Sequence, residues 1–73
     1  MNRSDYIGQA ETRRIALKEA GIGGAAFSLQ TLHEKAPQSL YQLEYSTEDM
    51  SYCCFINART GEVVGFDYRP IAV

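Results

Sequence analysis

The 73-residue chain has no tryptophan, a single histidine, two cysteines, two prolines and no long apolar run. Because a bilayer crossing needs roughly 20 consecutive apolar residues, no membrane span is predicted. The first residues also lack the apolar segment of an export signal, so no signal peptide is visible. The net charge of −2 is small and has the wrong sign for nucleic acid, so we expect no nucleic-acid partner.

The reactive side chains do not form a pattern typical of catalysis or metal binding. No cysteine or serine is spaced to work with His33, the one candidate base. Cys53 and Cys54 point to opposite faces if they lie in a strand, so they are poorly placed to share a metal ion or a disulfide. We expect Cys54 to be buried and Cys53 to remain as a thiol that could pair with another chain. The sequence thus predicts a protein that is not an enzyme and has no cofactor or metal.

An N-terminal helix is predicted from one of two capping candidates, Ser4 or Gly8, to Gly21. One face of this helix carries small apolar side chains and the stem of Arg13, while Ile15 lies off that face. The small face consists of Ala10, Ala16, Leu17 and Ala20. Such a face would allow the helix to lie close against a sheet.

Four strands follow the helix and are joined by short turns. They are predicted from alternating apolar and polar residues over residues 26–34, 40–46, 51–58 and 62–68. Strands joined in this way pair antiparallel, and a single helix covers one face of their sheet. The predicted fold class is therefore α+β. It is a single domain, residues 1–73, with one N-terminal helix packed on an antiparallel sheet of about four strands.

The turn between the last two strands has the clearest signature. Asn57 can accept the backbone N–H groups of the residues that follow it, and Gly61 can adopt a positive φ at little cost. We interpret Asn57, Thr60 and Gly61 as a structural turn that sets the register of the hairpin.

Two registers are possible for this hairpin. If Asn57 pairs with Glu62, then Ile56 and Val63 face the core and an apolar stripe faces outward. That stripe would be a candidate partner-binding surface and consists of Cys53, Phe55, Val64, Phe66 and Tyr68. If the register shifts by one residue, Val64, Phe66 and Tyr68 join the core, and only Cys53 and Phe55 stay outside. The regular alternation of the three β4 residues favours this second register.

Three segments of the chain resemble the PepSY domain family in order and spacing. The segment AETRRIALKEAGI, residues 10–22, resembles the family's A…IALKHAG, and YQLEY, residues 41–45, resembles YEVEF. The segment YCCFINARTGEVV, residues 52–64, resembles YEYEIDA-TGEI. From the first segment to the third, the resemblance spans residues 10–64, which is most of the chain. The family prefers an aliphatic residue at the position of Val63, which favours the first register.

The resemblance implies a helix on an antiparallel sheet and a location outside the cytoplasm or at the bacterial cell envelope. Family members occur in the propeptides of thermolysin-type metallopeptidases and in small secreted proteins. The role usually proposed for them is inhibition or local regulation of peptidases. The chain has Asn57 where Asp is usual, and Cys53 and Phe55 where Glu is common. These departures weaken any function that depends on an acidic sheet face.

Sequence and resemblance leave two hypotheses of different class. The first is a non-catalytic protein-binding or regulatory module whose partner is a protein such as a peptidase. It would make contact through the apolar stripe or through an exposed edge strand. The second is a structural or self-associating domain that forms a homodimer through the sheet face or is part of a longer envelope protein.

Overall fold

A computed structural model describes residues 6–35 and 38–71, which form one helix followed by four strands. The elements are α1 Gln9–Ala20, β1 Ala26–Lys35, β2 Gln38–Ser46, β3 Met50–Asn57 and β4 Val63–Pro70. The strands lie in the order β1-β2-β3-β4, and each neighbouring pair is antiparallel. The predicted α+β fold, with one helix on a four-stranded antiparallel sheet, is therefore confirmed.

Helix α1 is bounded by two of the predicted glycines. Gly8 has an extended backbone before the first turn, and Gly21 ends the helix with a φ of 72°. The N–H groups of Gly21 and Ile22 donate to the carbonyls of Lys18 and Leu17, each at 3.1 Å, which is the closure that a left-handed glycine permits. The other capping candidate, Ser4, lies outside the described residues. None of the described residues forms a helix with the length and hydropathy that a bilayer crossing requires.

The buried face of α1 is centred on Thr12 and Ala16, which are both fully buried, with Ile15 and Ala20 partly buried beside them. The predicted face is correct for the two later alanines. It is wrong for Ala10, which is exposed, and for Ile15, which packs against the core. The helix is therefore rotated toward a threonine that the small-residue pattern passed over.

Thr12 can occupy a core position because its hydroxyl group is satisfied in both directions. It donates to the Gln9 carbonyl at 2.7 Å and accepts from Gln30 Nε2 at 3.0 Å. The Gln30 amide also donates to the Gln9 carbonyl at 3.2 Å and accepts from Arg13 Nε at 2.8 Å. Leaving a buried hydroxyl unpaired costs about 1–3 kcal/mol, and the hydrogen bonds to Gln9 and Gln30 avoid that cost. Because Gln30 lies in β1, its hydrogen bonds to Gln9 and Thr12 also connect α1 to this strand.

The helix-covered face of the sheet supplies the rest of the core. Its buried side chains are those of Tyr41, Leu43, Tyr45, Cys54 and Ile56. The predicted alternation holds in β2 and β3, because Cys54 is buried on this face and Cys53 lies on the other. The hydroxyl of Tyr45 donates to the Ala16 carbonyl at 2.7 Å, which satisfies a polar group beneath the helix.

Close to the turn, the hairpin of β3 and β4 follows the first predicted register. The Asn57 N–H donates to the Glu62 carbonyl at 2.8 Å. Ile56 then pairs with Val63, and both pack at the core. An aliphatic side chain suits position 63 because it packs at the core opposite Ile56.

Beyond that pair, the hairpin changes to the second register. The pairing shifts after Ile56, so that Phe55 lies opposite Gly65 and Cys54 lies opposite Phe66. Val64 is the extra residue of a β-bulge. Because one extra residue reverses the alternation of the strand, each predicted register describes one part of the hairpin.

β4 lies at one edge of the described sheet, and its backbone offers few free donors. The Tyr68 N–H donates to the Asp67 carboxylate at 2.8 Å, and the Ile71 N–H donates to the Asp49 carbonyl at 3.0 Å. Pro70 has no N–H to donate. These are devices that limit strand pairing at an edge, so an added strand would find few partners along β4.

Candidate functional site

The five candidate partner-binding residues do not form one stripe. Cys53 and Phe55 lie on the open face, by which we mean the face of the sheet opposite α1. Phe66 and Tyr68 lie on the helix-covered face, and Val64 sits at the bulge. The expectation of a single outward stripe is therefore wrong, and the cause is the bulge, which turns the later residues of β4 over.

The open face carries a groove of about 200 Å³. Glu44, Cys53 and Asp67 form a cross-strand row along it, with Ser51 and Arg69 in the next row. Burial, and then the charges of the two carboxylates, raise the pKa of the Cys53 thiol above its ordinary value. Since the thiolate is the reactive form, this thiol is a weak nucleophile and a slow partner for disulfide formation.

Phe55 is half-buried on the open face because its ring covers a glycine. A Cβ atom at Gly65 would lie 3.4 Å from Phe55 Cδ1, which is contact distance. An aromatic ring that packs across a strand glycine replaces the side-chain contacts that the glycine cannot make. Packing within the sheet therefore explains Phe55 without a partner.

His33 is too far from Cys53 to act on it. His33 pairs with Leu40 and Cys53 pairs with Glu44. The two residues are therefore two interstrand spacings and four residues apart, which is about 16 Å. The His33 Nε2 atom instead forms a hydrogen bond with Gln42 Oε1 at 2.8 Å. In the described part of the chain, no cluster of His, Cys, Asp or Glu is arranged to hold a metal ion.

Five aromatic rings cross the helix-covered face, and we call them the aromatic ladder. In order they are Phe27, Tyr45, Tyr52, Phe66 and Tyr68, with centroid distances of 4.9, 5.2, 6.1 and 5.9 Å between successive rings. These distances lie within the range in which aromatic pairs attract one another. The ladder spans all four strands and joins the core to the β4 edge.

The two ends of the aromatic ladder differ. At the β1 end, the guanidinium carbon of Arg13 lies 5.5 Å from the centre of the Phe27 ring. At the β4 end, the last ring is 61% exposed and borders a groove of about 170 Å³. We call this the ladder groove; it is lined by Ala20, Met50, Tyr52, Phe66 and Tyr68.

The size of the two grooves limits what they can hold. Pockets for small ligands and cofactors enclose about 300–1,000 Å³. The open-face groove and the ladder groove measure about 200 and 170 Å³, so each is suited to one or two side chains.

The structural turn has the contacts that its sequence predicts. Asn57 Oδ1 accepts the N–H groups of Arg59 at 2.9 Å and Thr60 at 3.2 Å. The Thr60 hydroxyl accepts the Glu62 N–H at 3.2 Å. Gly61 has a φ of 82° and donates its N–H to the Asn57 carbonyl at 2.9 Å. These bonds account for all three turn residues by backbone geometry alone.

Asparagine at position 57 adds a contact that aspartate could not make. Its Nδ2 group donates to Gln38 Oε1 at 2.8 Å, which links the turn to the start of β2. An ionised carboxylate only accepts hydrogen bonds. The departure from the PepSY pattern at Asn57 thus has a local structural role.

Part of the aromatic ladder has a signal in the sequence. Tyr45 and Tyr52 lie at equal distances from the turn at residues 47–50, which marks them as a cross-strand pair. Phe66 joins the ladder only because of the bulge, and Ala20 reaches the groove only through the packing of α1. Both depend on contacts that are distant in sequence.

The chain matches no protein-family model, and no curated protein and no solved structure is significantly similar to it. The resemblance to the PepSY family therefore stays a prediction that depends on three segments of the sequence. The observed fold is the one that this resemblance implies, although a shared fold does not establish a shared function.

Proposed function

We propose that the protein is a non-catalytic, polypeptide-binding module that regulates or inhibits a peptidase at the bacterial cell envelope. The peptidase and the envelope location come from the resemblance to the PepSY family. The polypeptide-binding role comes from the surface around β4.

The observation that carries the proposal is where the exposed apolar side chains lie. Among the described residues, the exposed large hydrophobic side chains are Val64 at 44%, Tyr68 at 61% and Ile71 at 40%. All three belong to β4 or follow it directly. Tyr68 lines the ladder groove. Ile71 follows Pro70, and Pro70 pairs with Met50, which also lines this groove. Tyr68 and Ile71 lie near the same end of β4, and exposed apolar side chains grouped there mark a candidate contact surface, whereas Val64 lies apart at the bulge.

A polypeptide fits this surface better than a small ligand does. The ladder groove is smaller than the pockets that hold cofactors, and it opens directly to solvent beside Tyr68. The β4 backbone has few free donors, so side chains rather than added strands would make the contact. Aromatic side chains are enriched among the residues that dominate protein interfaces, and Tyr68 is the residue of that kind here.

The test is inhibition of purified peptidases, beginning with thermolysin-type metallopeptidases and other secreted bacterial enzymes. We expect the wild-type protein to inhibit at least one of them in a dose-dependent manner while remaining intact. Tyr68→Ser removes the exposed ring and is expected to weaken inhibition about fivefold or more. Thr31→Ala, on the open face, is the matched control and is expected to leave inhibition unchanged.

Two results would contradict the proposal. One is that no peptidase in the panel is inhibited. The other is that the apparent inhibition comes from the protein being degraded as a competing substrate, which mass spectrometry of the reaction would reveal.

Self-association through the open face is a second candidate function, and one observation favours it. Glu44 and Asp67 line the same groove as Arg69, so two copies related by a two-fold axis could pair opposite charges. Sedimentation velocity at micromolar concentration tests this candidate. A dimer that Arg69→Glu dissociates and Tyr68→Ser does not would support it, and a monomer would contradict it.

A further inference from the structure

The aromatic ladder is a row of rings that already binds a cation at one end. The Arg13 guanidinium carbon lies 5.5 Å above Phe27, within the distance at which a ring face attracts positive charge. The same guanidinium group is held in place by Gln30, whose Oε1 atom lies 2.8 Å from Arg13 Nε. The β1 end of the ladder is therefore an example, within this protein, of a ring face that contacts a guanidinium group.

The β4 end of the ladder presents ring surface with no cation over it in the described structure. Tyr68 is 61% exposed, and its centroid lies 5.9 Å from that of Phe66. Ala20 and Met50 form the apolar walls of the ladder groove, and none of its lining residues is charged. A side chain that enters here would meet ring faces at one end and aliphatic groups along its stem.

The charges around the ladder groove favour a positive side chain. The groove lies at the C-terminal end of α1, which is the negative pole of the helix dipole, and Glu19 is in its last turn. The turn that leads into Met50 carries Glu48 and Asp49, and the Asp49 carbonyl holds the Ile71 N–H at 3.0 Å. This acidic turn therefore lies beside the end of β4.

The nearby basic side chains, Lys18 and Arg69, offset the three carboxylates around the groove only in part. Arg69 lines the groove on the open face, on the other side of the sheet. Lys18 is exposed in the last turn of α1 and, like the three carboxylates, lies near the ladder groove without lining it. The net charge of the chain, −2, has the same sign as the groove surroundings. Charge complementarity thus points to a basic ligand rather than an acidic or neutral one.

We propose that the ladder groove binds an arginine or lysine side chain of the partner polypeptide. The aliphatic stem lies between Ala20 and Met50, and the charged group lies over the exposed ring of Tyr68. This inference depends on the proposed polypeptide-binding function and specifies the partner chemistry that such a function requires. The volume of about 170 Å³ fits a single long side chain.

The test uses three blocked pentapeptides that differ only in the central residue, which is arginine, citrulline or norleucine between valines. Citrulline keeps the shape of arginine and removes its charge, and norleucine keeps only the stem. Binding is followed by titration of the isotope-labelled 73-residue protein in two-dimensional NMR. We expect the arginine peptide to shift the signals of Ala20, Met50 and Tyr68, and to bind about three- to tenfold more tightly than the citrulline peptide.

A variant and a salt series sharpen the test. Tyr68→Leu keeps apolar area and removes the ring face, so the preference for arginine over citrulline is expected to disappear while norleucine binding remains. Thr31→Ala is the control on the open face and is expected to keep the preference. The preference is also expected to shrink as salt rises, because the site is exposed to solvent.

Several results would overturn the inference. Equal binding of arginine and citrulline peptides at the groove would show that the groove does not select a positive charge, and would leave the proposed polypeptide binding standing. Peptidase inhibition without any peptide-induced shift at the groove would place the contact elsewhere and leave the proposed function standing. Shifts at the groove that depend on protein concentration without peptide would assign it to a second copy of this chain. A clear preference for arginine without inhibition of any peptidase would support the groove assignment and contradict the peptidase role.

Discussion

The two faces of the sheet carry apolar side chains from the same strands and use them differently. On the helix-covered face, Leu43, Cys54 and Ile56 are completely buried. On the open face, Leu29 and Phe55 are only half-buried and lie opposite the polar residues Glu44 and Gln42 of β2. In a two-layer domain of this size, stability depends on the face that the helix covers. The open face is therefore free to change without loss of the fold.

The two adjacent cysteines illustrate this difference between the faces of the sheet. Cys54 is fully buried under the helix, and burial, as the largest cause, raises its pKa to about 11. Cys53 is half-buried on the open face, where burial and two carboxylates also raise its pKa. One acts as a small apolar core residue, and the other is accessible but poorly reactive.

Leucine truncation on each face gives the largest expected contrast. Leu43→Ala leaves a cavity beneath α1, so we expect it to lower the free energy of unfolding by about 2–5 kcal/mol. Leu29→Ala, on the open face, is expected to cost about 1 kcal/mol or less because solvent can fill the space. Urea denaturation followed by circular dichroism measures both. Equal losses would show that the open face is covered in solution.

Two glycines of the last hairpin give the next contrast. Gly61 has a φ of 82°, and a Cβ atom there would lie 3.1 Å from Ile15 Cδ1 on the helix side. Gly61→Ala is therefore expected to cost about 2 kcal/mol or more, since left-handed backbone alone costs about 1–2 kcal/mol. At Gly65 the φ is not positive and the nearest atom belongs to Phe55 on the open face.

Gly65→Ala is the matched control, with an expected change within about 0.5 kcal/mol, because the added methyl group is at contact distance. Thermal unfolding monitored by calorimetry compares the two variants. A larger loss at Gly65 than at Gly61 would mean that the covered face tolerates strain better than the open face does, contrary to the packing described.

Alkaline pH gives the smallest contrast. The folded pKa of Cys54, about 11, is above the ordinary 9.0, so the fold favours the neutral thiol. The corresponding stability is complete below pH 9 and is lost as the pH rises toward 11. Between pH 8 and pH 10 we expect a loss of about 1 kcal/mol.

The cysteine variants assign this pH dependence to one face. Cys54→Ala is expected to remove most of the fall in stability between pH 8 and pH 10, while Cys53→Ser is expected to leave most of it. A smaller fall remains in Cys54→Ala because burial also raises the pKa of Tyr45. Urea denaturation at each pH makes the comparison within each variant, so that a change in baseline stability does not matter. A fall that persists in full in Cys54→Ala would assign the effect to another group.

The features of the fold that the sequence predicts correctly are those with local causes. The alternation of Tyr41, Leu43 and Tyr45 follows from the two-residue period of a strand, and the turn at Asn57 follows from its own side-chain chemistry. The observed helix face differs from the predicted one at Thr12, whose buried hydroxyl also accepts a hydrogen bond from Gln30, a partner 18 residues away in sequence. No pattern within the helix reports that partner.

The candidate site was harder to predict for the same reason. The first predicted register puts Phe66 and Tyr68 on the open face and the second puts them in the core, and a single bulge residue, Val64, places them on the covered face. Bulges insert one residue into otherwise regular pairing, so alternation alone cannot locate them. The ladder groove also needs Ala20 and Met50, which come together only when the helix end packs over β3 and β4.

The blocked edge of β4 has a consequence for strand pairing. Asp67 occupies the Tyr68 donor and Pro70 supplies none, so pairing with another strand is disfavoured toward the end of β4, which is one of the two edges of the described sheet. The same strand nonetheless displays its tyrosine ring to solvent. An exposed aromatic ring and a backbone donor that is already occupied are thus combined in one residue, Tyr68.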